Sequence, residues 1–329
     1  MFRLVQKATG IALSAVLAAA TFAAAGAHAD TYPSRPIRIV VPYPVGGGGD
    51  TAARPLTIFL PPKLGQQVIV DNRGGANGNI GMDLVAKAPP DGYTLVLALT
   101  SQLAVNPSLY KQLSYDPVKD FEPITLMASA PYFLLVNPAV PARNLAEFIA
   151  LAKAHPGKYT FGSSGNGSGP HLSMELLKSM AGIDLVHVPF RGTGPAMPAL
   201  LAGDINAMFV SYGVASQQIK AGKLRALAVS SARRASTMPE VPTIAEAGVP
   251  GYDSGVWYAL LAPRGTPAPI VSRLTTEMNA LLKGPDMRRV LQQDGIVPIG
   301  STPQELATYI KSETTKWRDI VERSGATID

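Results

Sequence analysis

The chain has 329 residues, with 29 Lys and Arg against 23 Asp and Glu, a formal charge of only +6. Its 31 glycines and 29 prolines make up about 18%, below the roughly 25–30% of low-complexity chains, and 47% hydrophobic residues suffice for cores, so disorder and collagen-like fibres are excluded. Cys is absent, which excludes disulfides and thiolate metal sites. The length fits two domains, or one large one, at roughly 100–200 residues each.

The N-terminus reads as a removable signal peptide, residues 1–29. Arg3 and Lys7 supply its positive region, residues 10–25 are almost wholly apolar, and Ala27-His28-Ala29 has the small-x-small pattern of a cleavage site. Cleavage after Ala29 and export to the periplasm are the expectation. A membrane anchor is the other reading, because residues 11–25 with their flanks nearly reach the ~20 that a span needs. The Ala-rich composition and the adjacent cleavage site favour secretion, and no later stretch has 18 unbroken apolar residues.

Further along, Arg38-Ile39-Val40-Val41 predicts a short buried strand, Pro42, Pro44 and four glycines break it, and a helix is expected from Asp50 onwards. Strands are predicted at 68–70 and 94–99 with a helical stretch at 80–88 between them. That alternation points to βαβ units on a parallel sheet. From about Ser129 to Val136 a second series begins, with helices at 145–154, 171–180 and 195–201 and strands at 160–162, 185–188, 207–210 and 226–229. After Pro250-Gly251-Tyr252 come a strand at 256–261 and helices near 269–282, 285–293 and 303–324. Several of these have Pro just inside their starts, where the missing N–H costs nothing. Two α/β lobes result, with the C-terminal helices returning to the first.

Glycine loops between strand and helix are the chemical signal. Val45-Gly46-Gly47-Gly48-Gly49-Asp50 lets the backbone approach a ligand, and free N–H groups at a helix start favour an anion. Residues 162–170 form a second loop, in which Ser163, Ser164, Gly165, Asn166 and Ser168 offer hydroxyls, an amide and backbone donors, with His171 in the first turn of the next helix. Donors of that kind suit a carboxylate or a phosphate. In the third loop, Pro189-Phe190-Arg191-Gly192-Thr193-Gly194-Pro195, Arg191 either clamps a carboxylate bidentately or makes a structural salt bridge. Residues 72–79 are a fourth such loop. In an open α/β sheet these loops gather at the carboxyl ends of the strands, where ligands bind.

One competing reading needs weighing. Gly47-x-Gly49-x-x-Ala52 fits a dinucleotide fingerprint and Asp71 stands near the place of a ribose-binding acid, so a nicotinamide-dinucleotide-dependent oxidoreductase is the alternative function. A lone match is weak, Pro42 and Pro44 stretch the turn, and the cofactor is scarce outside the cytoplasm. Catalytic sets are missing: there is no G-x-S-x-G elbow, and the four histidines show no H-E-x-x-H spacing. His187, in a strand, reads as a core or cleft residue rather than a base. The basic stretch 225–234 has no interleaved aromatics, so it reads as solvated surface and no nucleic acid is expected. Trp257-Tyr258 either walls a cleft or packs in the core, with core packing favoured.

Taken together, these segments resemble a known family. The signal peptide, Tyr32-Pro33-Ser34-Arg35-Pro36-Ile37-Arg38, the loop from Val41 to Asp50, Asn72-Arg73 with Gly78-Asn79-Ile80-Gly81, Pro90-Asp91-Gly92-Tyr93-Thr94, Asn106-Pro107-Ser108-Leu109-Tyr110, Arg191-Gly192-Thr193-Gly194-Pro195-Ala196 and Val241-Pro242-Thr243 are similar to the Bug-type substrate-binding receptors of tripartite tricarboxylate transporters. The match runs from about residue 30 to the end, and the joint order of the motifs makes it specific.

The resemblance implies an α/β, two-lobed periplasmic binding protein of type II, with the ligand in the inter-lobe cleft. It implies no enzyme and no cofactor, a monomer, and membrane subunits of a tripartite tricarboxylate transporter as partners. It implies lobe 1 from 30–127 plus 253–329, and lobe 2 from 128–252. Carried over position by position, it selects Tyr43, Gly47, Gly48, Gly49 and Asp50 with Thr100, Ser101 and Gln102 in lobe 1. In lobe 2 it selects Ser163, Ser164, Gly165, Asn166, Ser168, His171, Arg191, Gly192, Thr193 and Ser211. Two departures matter: the family's usual Thr before the loop Asp is Gly49 here, and its usual Met-Phe-Asp strand end is Met208-Phe209-Val210-Ser211. The acid that meets a ligand amine is absent, so di- or aromatic carboxylates are expected over amino acids.

Overall fold

Near-continuous apolar runs mark strands covered on both faces, in contrast to the alternation of a half-exposed sheet. The structure, a computed structural model, describes residues 32–324, 326 and 328, so the signal-peptide segment 1–29 lies outside the described residues. The strands are β1 (Ile37–Val41), β2 (Val68–Asn72), β3 (Thr94–Leu99), β4 (Phe121–Ala130), β5 (Tyr132–Val136) and β6 (Thr160–Ser163), followed by β7 (Val186–Pro189), β8 (Ala207–Ser211), β9 (Arg225–Val229), β10 (Val256–Pro263) and β11 (Val297–Pro298). They form a six-stranded sheet in the order β11-β4-β10-β3-β1-β2 and a five-stranded sheet in the order β7-β6-β8-β5-β9. Every residue of β10 and of β5 is buried, as their unbroken apolar sequences require.

The sheets are mixed, which corrects the expectation of parallel strands. β1 pairs parallel with β2 and β3, and β6 with β7 and β8, but β10 runs antiparallel to both β3 and β4, and β5 antiparallel to both β8 and β9. The chain enters β5 and β10 from the opposite sheet, not through a βαβ crossover, and only such a crossover constrains a strand to be parallel.

Only Pro131 separates β4 from β5. Ser230 ties this crossing to the return crossing before β10: its N–H donates to Tyr132 O (2.8 Å), and its hydroxyl accepts from Tyr132 N (2.9 Å) and donates to Ser254 O (2.8 Å). Ser230 is fully buried, so satisfied hydrogen bonds lock the two crossings to each other.

Several elements go beyond the sequence pattern. β4 contains Glu122 and Pro123, which lower any strand prediction, and the helix Tyr212–Lys220 opens with Gly213 and a β-branched Val214. Ser101–Val105 forms a fully buried π-helical turn that runs into the short helix Asn106–Leu109. The helices Ala268–Lys283 and Pro303–Ser324 pack on β4 of the first sheet. Trp257, Trp317 and Phe121 belong to the first core, while Phe133, Met208 and Leu200 belong to the second. No helix among the described residues is long and apolar enough to cross a membrane.

Candidate functional site

Four helix starts converge on one cavity of about 110 Å³ between the sheets. They are the starts of the helices Gly48–Ala53, Gly169–Ala181, Thr193–Ala202 and Tyr212–Lys220, each following a strand end or a glycine loop. A helix start leaves its first N–H groups without intrahelical acceptors and carries the positive end of the helix dipole. Four such ends around a small space make a positive field without a single lysine.

Glycine makes the approach possible. A Cβ on Gly48 would lie 3.2 Å from the Tyr258 hydroxyl and 3.4 Å from Ser211 Oγ, and a Cβ on Gly169 would collide with the Tyr132 hydroxyl. At Gly49 the side-chain space belongs to Leu99 and Val41, at 3.2 and 3.3 Å from where a Cβ would stand. The hydroxyl absent at Gly49 is therefore replaced by core packing.

Of the residues selected from sequence, the structure brings Tyr43, Gly47, Gly48, Gly49, Ser101, Ser164, Arg191, Gly192, Thr193 and Ser211 onto the cavity wall. Several of the others bond within or beside their own loops. Asp50 accepts from Gly46 N at 3.0 Å and from Arg54 Nε at 2.9 Å, closing the first glycine loop. Burial pushes the Asp50 carboxyl up, but these donors outweigh it and hold the group below its usual range. Thr100 Oγ1 accepts from Trp257 N (2.9 Å), joining β3 to β10.

In the second loop, Ser163 Oγ lies 2.6 Å from His187 Nε2 and accepts from Gly165 N, while Ser168 Oγ donates to Gly165 O (2.7 Å). His171 Nδ1 accepts from Gly167 N at 3.0 Å, and its ring stacks on His187 with centroids 4.0 Å apart. Burial, with His187 and Lys178 nearby, pushes His171 down to about 3; burial, then Lys178, pushes His187 down to about 4. Both rings are neutral at neutral pH, so the 3.9 Å approach of His171 to Glu175 is not an ion pair. Gly165 and Asn166 line a neighbouring chamber rather than this cavity.

Sequence reasoning missed Tyr132 and favoured the core for Tyr258. Tyr132, at the start of β5, and Tyr258, on β10, both line the cavity. The pair Trp257-Tyr258 splits by strand alternation: Trp257 packs in the first core and Tyr258 faces the cleft. The Tyr258 hydroxyl is buried with no hydrogen-bond partner among the described residues. An unmade bond of this kind costs about 1–3 kcal/mol, so the group stands ready to donate to whatever fills the cavity. The signal available in the sequence was a tyrosine near the start of an unbroken apolar strand.

Arg191 is the only charged side chain among the residues lining the cavity, and it makes no ion pair among the described residues. That separates the two readings of Arg191, because no structural salt bridge engages it. Asp71, which the dinucleotide reading needed on a ribose, pairs with Arg73 at 2.9 Å and Arg38 at 3.6 Å and lies off the cavity wall. A space of about 110 Å³ is also far below the roughly 300–1,000 Å³ of pockets for larger ligands. Among the described residues no three His, Asp or Glu side chains gather to hold a metal.

Two α/β lobes joined by a double crossing, with helix starts facing a cleft between them, define a periplasmic binding protein. Residues 53–326 match the tripartite tricarboxylate transporter family receptor, and the chain belongs to that family of non-enzymatic transport receptors. It is 37% identical over 317 residues to Protein BugT of Bordetella pertussis, covering 96% of this chain and 97% of that protein. Among solved structures it is similar to R. palustris Rpa4515 with adipate, at 35% identity and a TM-score of 0.87, over 90% of this chain and 99% of the other. It is likewise similar to MatC from Rhodopseudomonas palustris with bound malate, at 35% identity and a TM-score of 0.81, over 88% and 100% of the two chains. The oxidoreductase alternative is thereby set aside.

Proposed function

We propose that this receptor closes its lobes, 30–127 with 253–329 and 128–252, around a small carboxylate, preferring di- or aromatic carboxylates to amino acids. Arg191 carries the reading: a lone guanidinium, unpaired among the described residues, on a wall whose described residues include no carboxylate selects for an anion and offers an ammonium group no countercharge. The four helix starts and the Tyr258 hydroxyl support it, and two similar structures hold carboxylates, adipate and malate. Donors from both lobes bias the hinge equilibrium, and the closed form is then read by membrane subunits of a tripartite tricarboxylate transporter or by a sensor. The protein acts as an exported monomer cleaved after Ala29, which the N-terminal mass of the periplasmic form checks.

A thermal-shift panel of carboxylates, amino acids and nicotinamide nucleotides on the mature chain is the direct test. A true ligand at 100 times its dissociation constant stabilises the fold by about 2.7 kcal/mol. Calorimetry should show glutamate binding more weakly than its deaminated analogue; the reverse order would overturn the preference against amines.

A further inference from the structure

The inner cavity has a neighbour. A chamber of about 450 Å³ shares Tyr43, Pro44, Ser164, Arg191 and Gly192 with it, so these residues mark the neck, the boundary at which the two compartments adjoin. Beyond the neck the chamber is walled by Pro42, Tyr110, Phe190 and Ile328, and Arg191 is again the only charged side chain on the lining among the described residues. The chamber thus joins apolar and aromatic surface to a single cation at its inner end.

Its floor is built under strain. Ala76 and Asn77 both adopt positive φ, at 47° and 51°, a region that non-glycine residues rarely occupy. Asn77 is held there from several sides: its Nδ2 donates to Asn106 Oδ1 (2.8 Å) and to Gly167 O of the second glycine loop (3.1 Å), and its carbonyl accepts from Gln102 Nε2 (2.8 Å). The same side chain accepts from the Tyr43 hydroxyl at the neck (3.2 Å). Strained backbone of this kind persists only where surrounding bonds over-determine it, and it concentrates at ligand sites.

Size decides what each compartment takes. The inner cavity, at about 110 Å³, is smaller than the roughly 150 Å³ space that accepts a benzene ring. It has room for a carboxylate and a few further atoms, while a ring or a longer chain must extend past the neck. We propose that the cleft is a two-compartment site in which the inner cavity holds one carboxylate and the chamber behind Tyr43 and Arg191 holds an apolar ring or chain. The receptor's ligands are therefore elongated or aryl-bearing carboxylates and not compact acids. This rests on the carboxylate reading of the inner cavity.

Calorimetry with propanoate, succinate, suberate and 3-phenylpropanoate tests it, on the mature chain and on Tyr110→Ala. The expected result is that suberate and 3-phenylpropanoate bind at least tenfold tighter than propanoate and succinate, and that Tyr110→Ala reduces this advantage to threefold or less while leaving the short acids within twofold. Phe190→Leu, on the other lobe, gives the same pattern and serves if Tyr110→Ala does not fold. Short acids binding as tightly as long ones, or an equal loss for all four in both variants, would overturn the two-compartment site while leaving the carboxylate reading intact. No binding by any of the four acids would overturn both.

Discussion

Arg191 and Tyr258 approach the cleft from different lobes and carry opposite burdens in the ligand-free protein. Arg191 is exposed and unpaired, so Arg191→Ala should leave the melting temperature of the ligand-free protein within about a degree. A charge-assisted hydrogen bond contributes about 1.5–3 kcal/mol, so the carboxylate affinity should fall by roughly 10- to 150-fold in calorimetry. Unchanged affinity would move the anion elsewhere. Tyr258→Phe removes a buried hydroxyl that has no partner, so the ligand-free protein should melt at the same temperature or higher. Affinity should nonetheless weaken about five- to tenfold, and a loss of both stability and affinity would mean that the hydroxyl serves the fold. Neither role can be read from residue type. Arginine 191 stood open between a clamp and a salt bridge because the choice depends on whether an acid lies within reach, which is a matter of distant chain segments.

Among the elements, the second glycine loop is the one most exposed to pH. His171 and His187 titrate near 6.5 in an unfolded chain but only at about 3 and about 4 in the fold. Above pH 6.5 both states are neutral and the histidines contribute no pH dependence. As pH falls from 6.5 towards 4 the unfolded chain binds protons that the folded one refuses, so stability is lost progressively. Protonating His171 also removes the Nδ1 acceptor of Gly167 N, which holds the loop. Glu175, Lys178 and Ser163 face the pair, and Lys178 opposes its protonation. The melting temperature should therefore drop steadily between pH 6.5 and 4, and His187→Gln should flatten that slope; an equal slope in the variant would place the acid sensitivity elsewhere. The element pattern itself was legible wherever periodicity was local: the strands at 94–99 and 256–261 and the helix at 145–154 follow from unbroken or amphipathic runs. β4 and the helix Tyr212–Lys220 were not, because Pro123 and Gly213 weaken local preference and tertiary contacts decide instead, among them the bond from Gly213 N to Asp294 O (3.1 Å).

For the molecule as a whole, the proposed closure sets the cleft against the space behind the crossings. The cleft is bridged in this structure by Asn77 to Gly167 and by Gly213 to Asp294. Behind the crossings lies a second space of about 540 Å³, lined by Ala232 and Arg233 on one side and by Trp257, Tyr309 and Trp317 on the other. If the proposed opening of the cleft compresses this rear space, a bulky side chain there resists opening. Ala232→Trp should tighten binding of every ligand by two- to tenfold through the population shift alone. Unaltered affinities would show that the hinge does not compress this space. The chain's two tryptophans, Trp257 and Trp317, both donate to Glu313 Oε2, at 2.9 and 3.0 Å, on the lobe 1 side of this space.

The sequence by itself determined the α/β class, the glycine loops between strand and helix, and membership of a receptor family, because each of these is written in residues close together along the chain. Only the tertiary structure decided which loop residues line the cavity and which bond within their own loop. Asp50, Ser163, Ser168 and His171 turned inward to bond their own loops, while Tyr132 and Tyr258, about 126 residues apart in the chain, met across the hinge. The reason is physical. A backbone donor or a hydroxyl is equally able to bond a neighbour or a ligand, and which it does is set by burial and by partners that arrive from the other lobe.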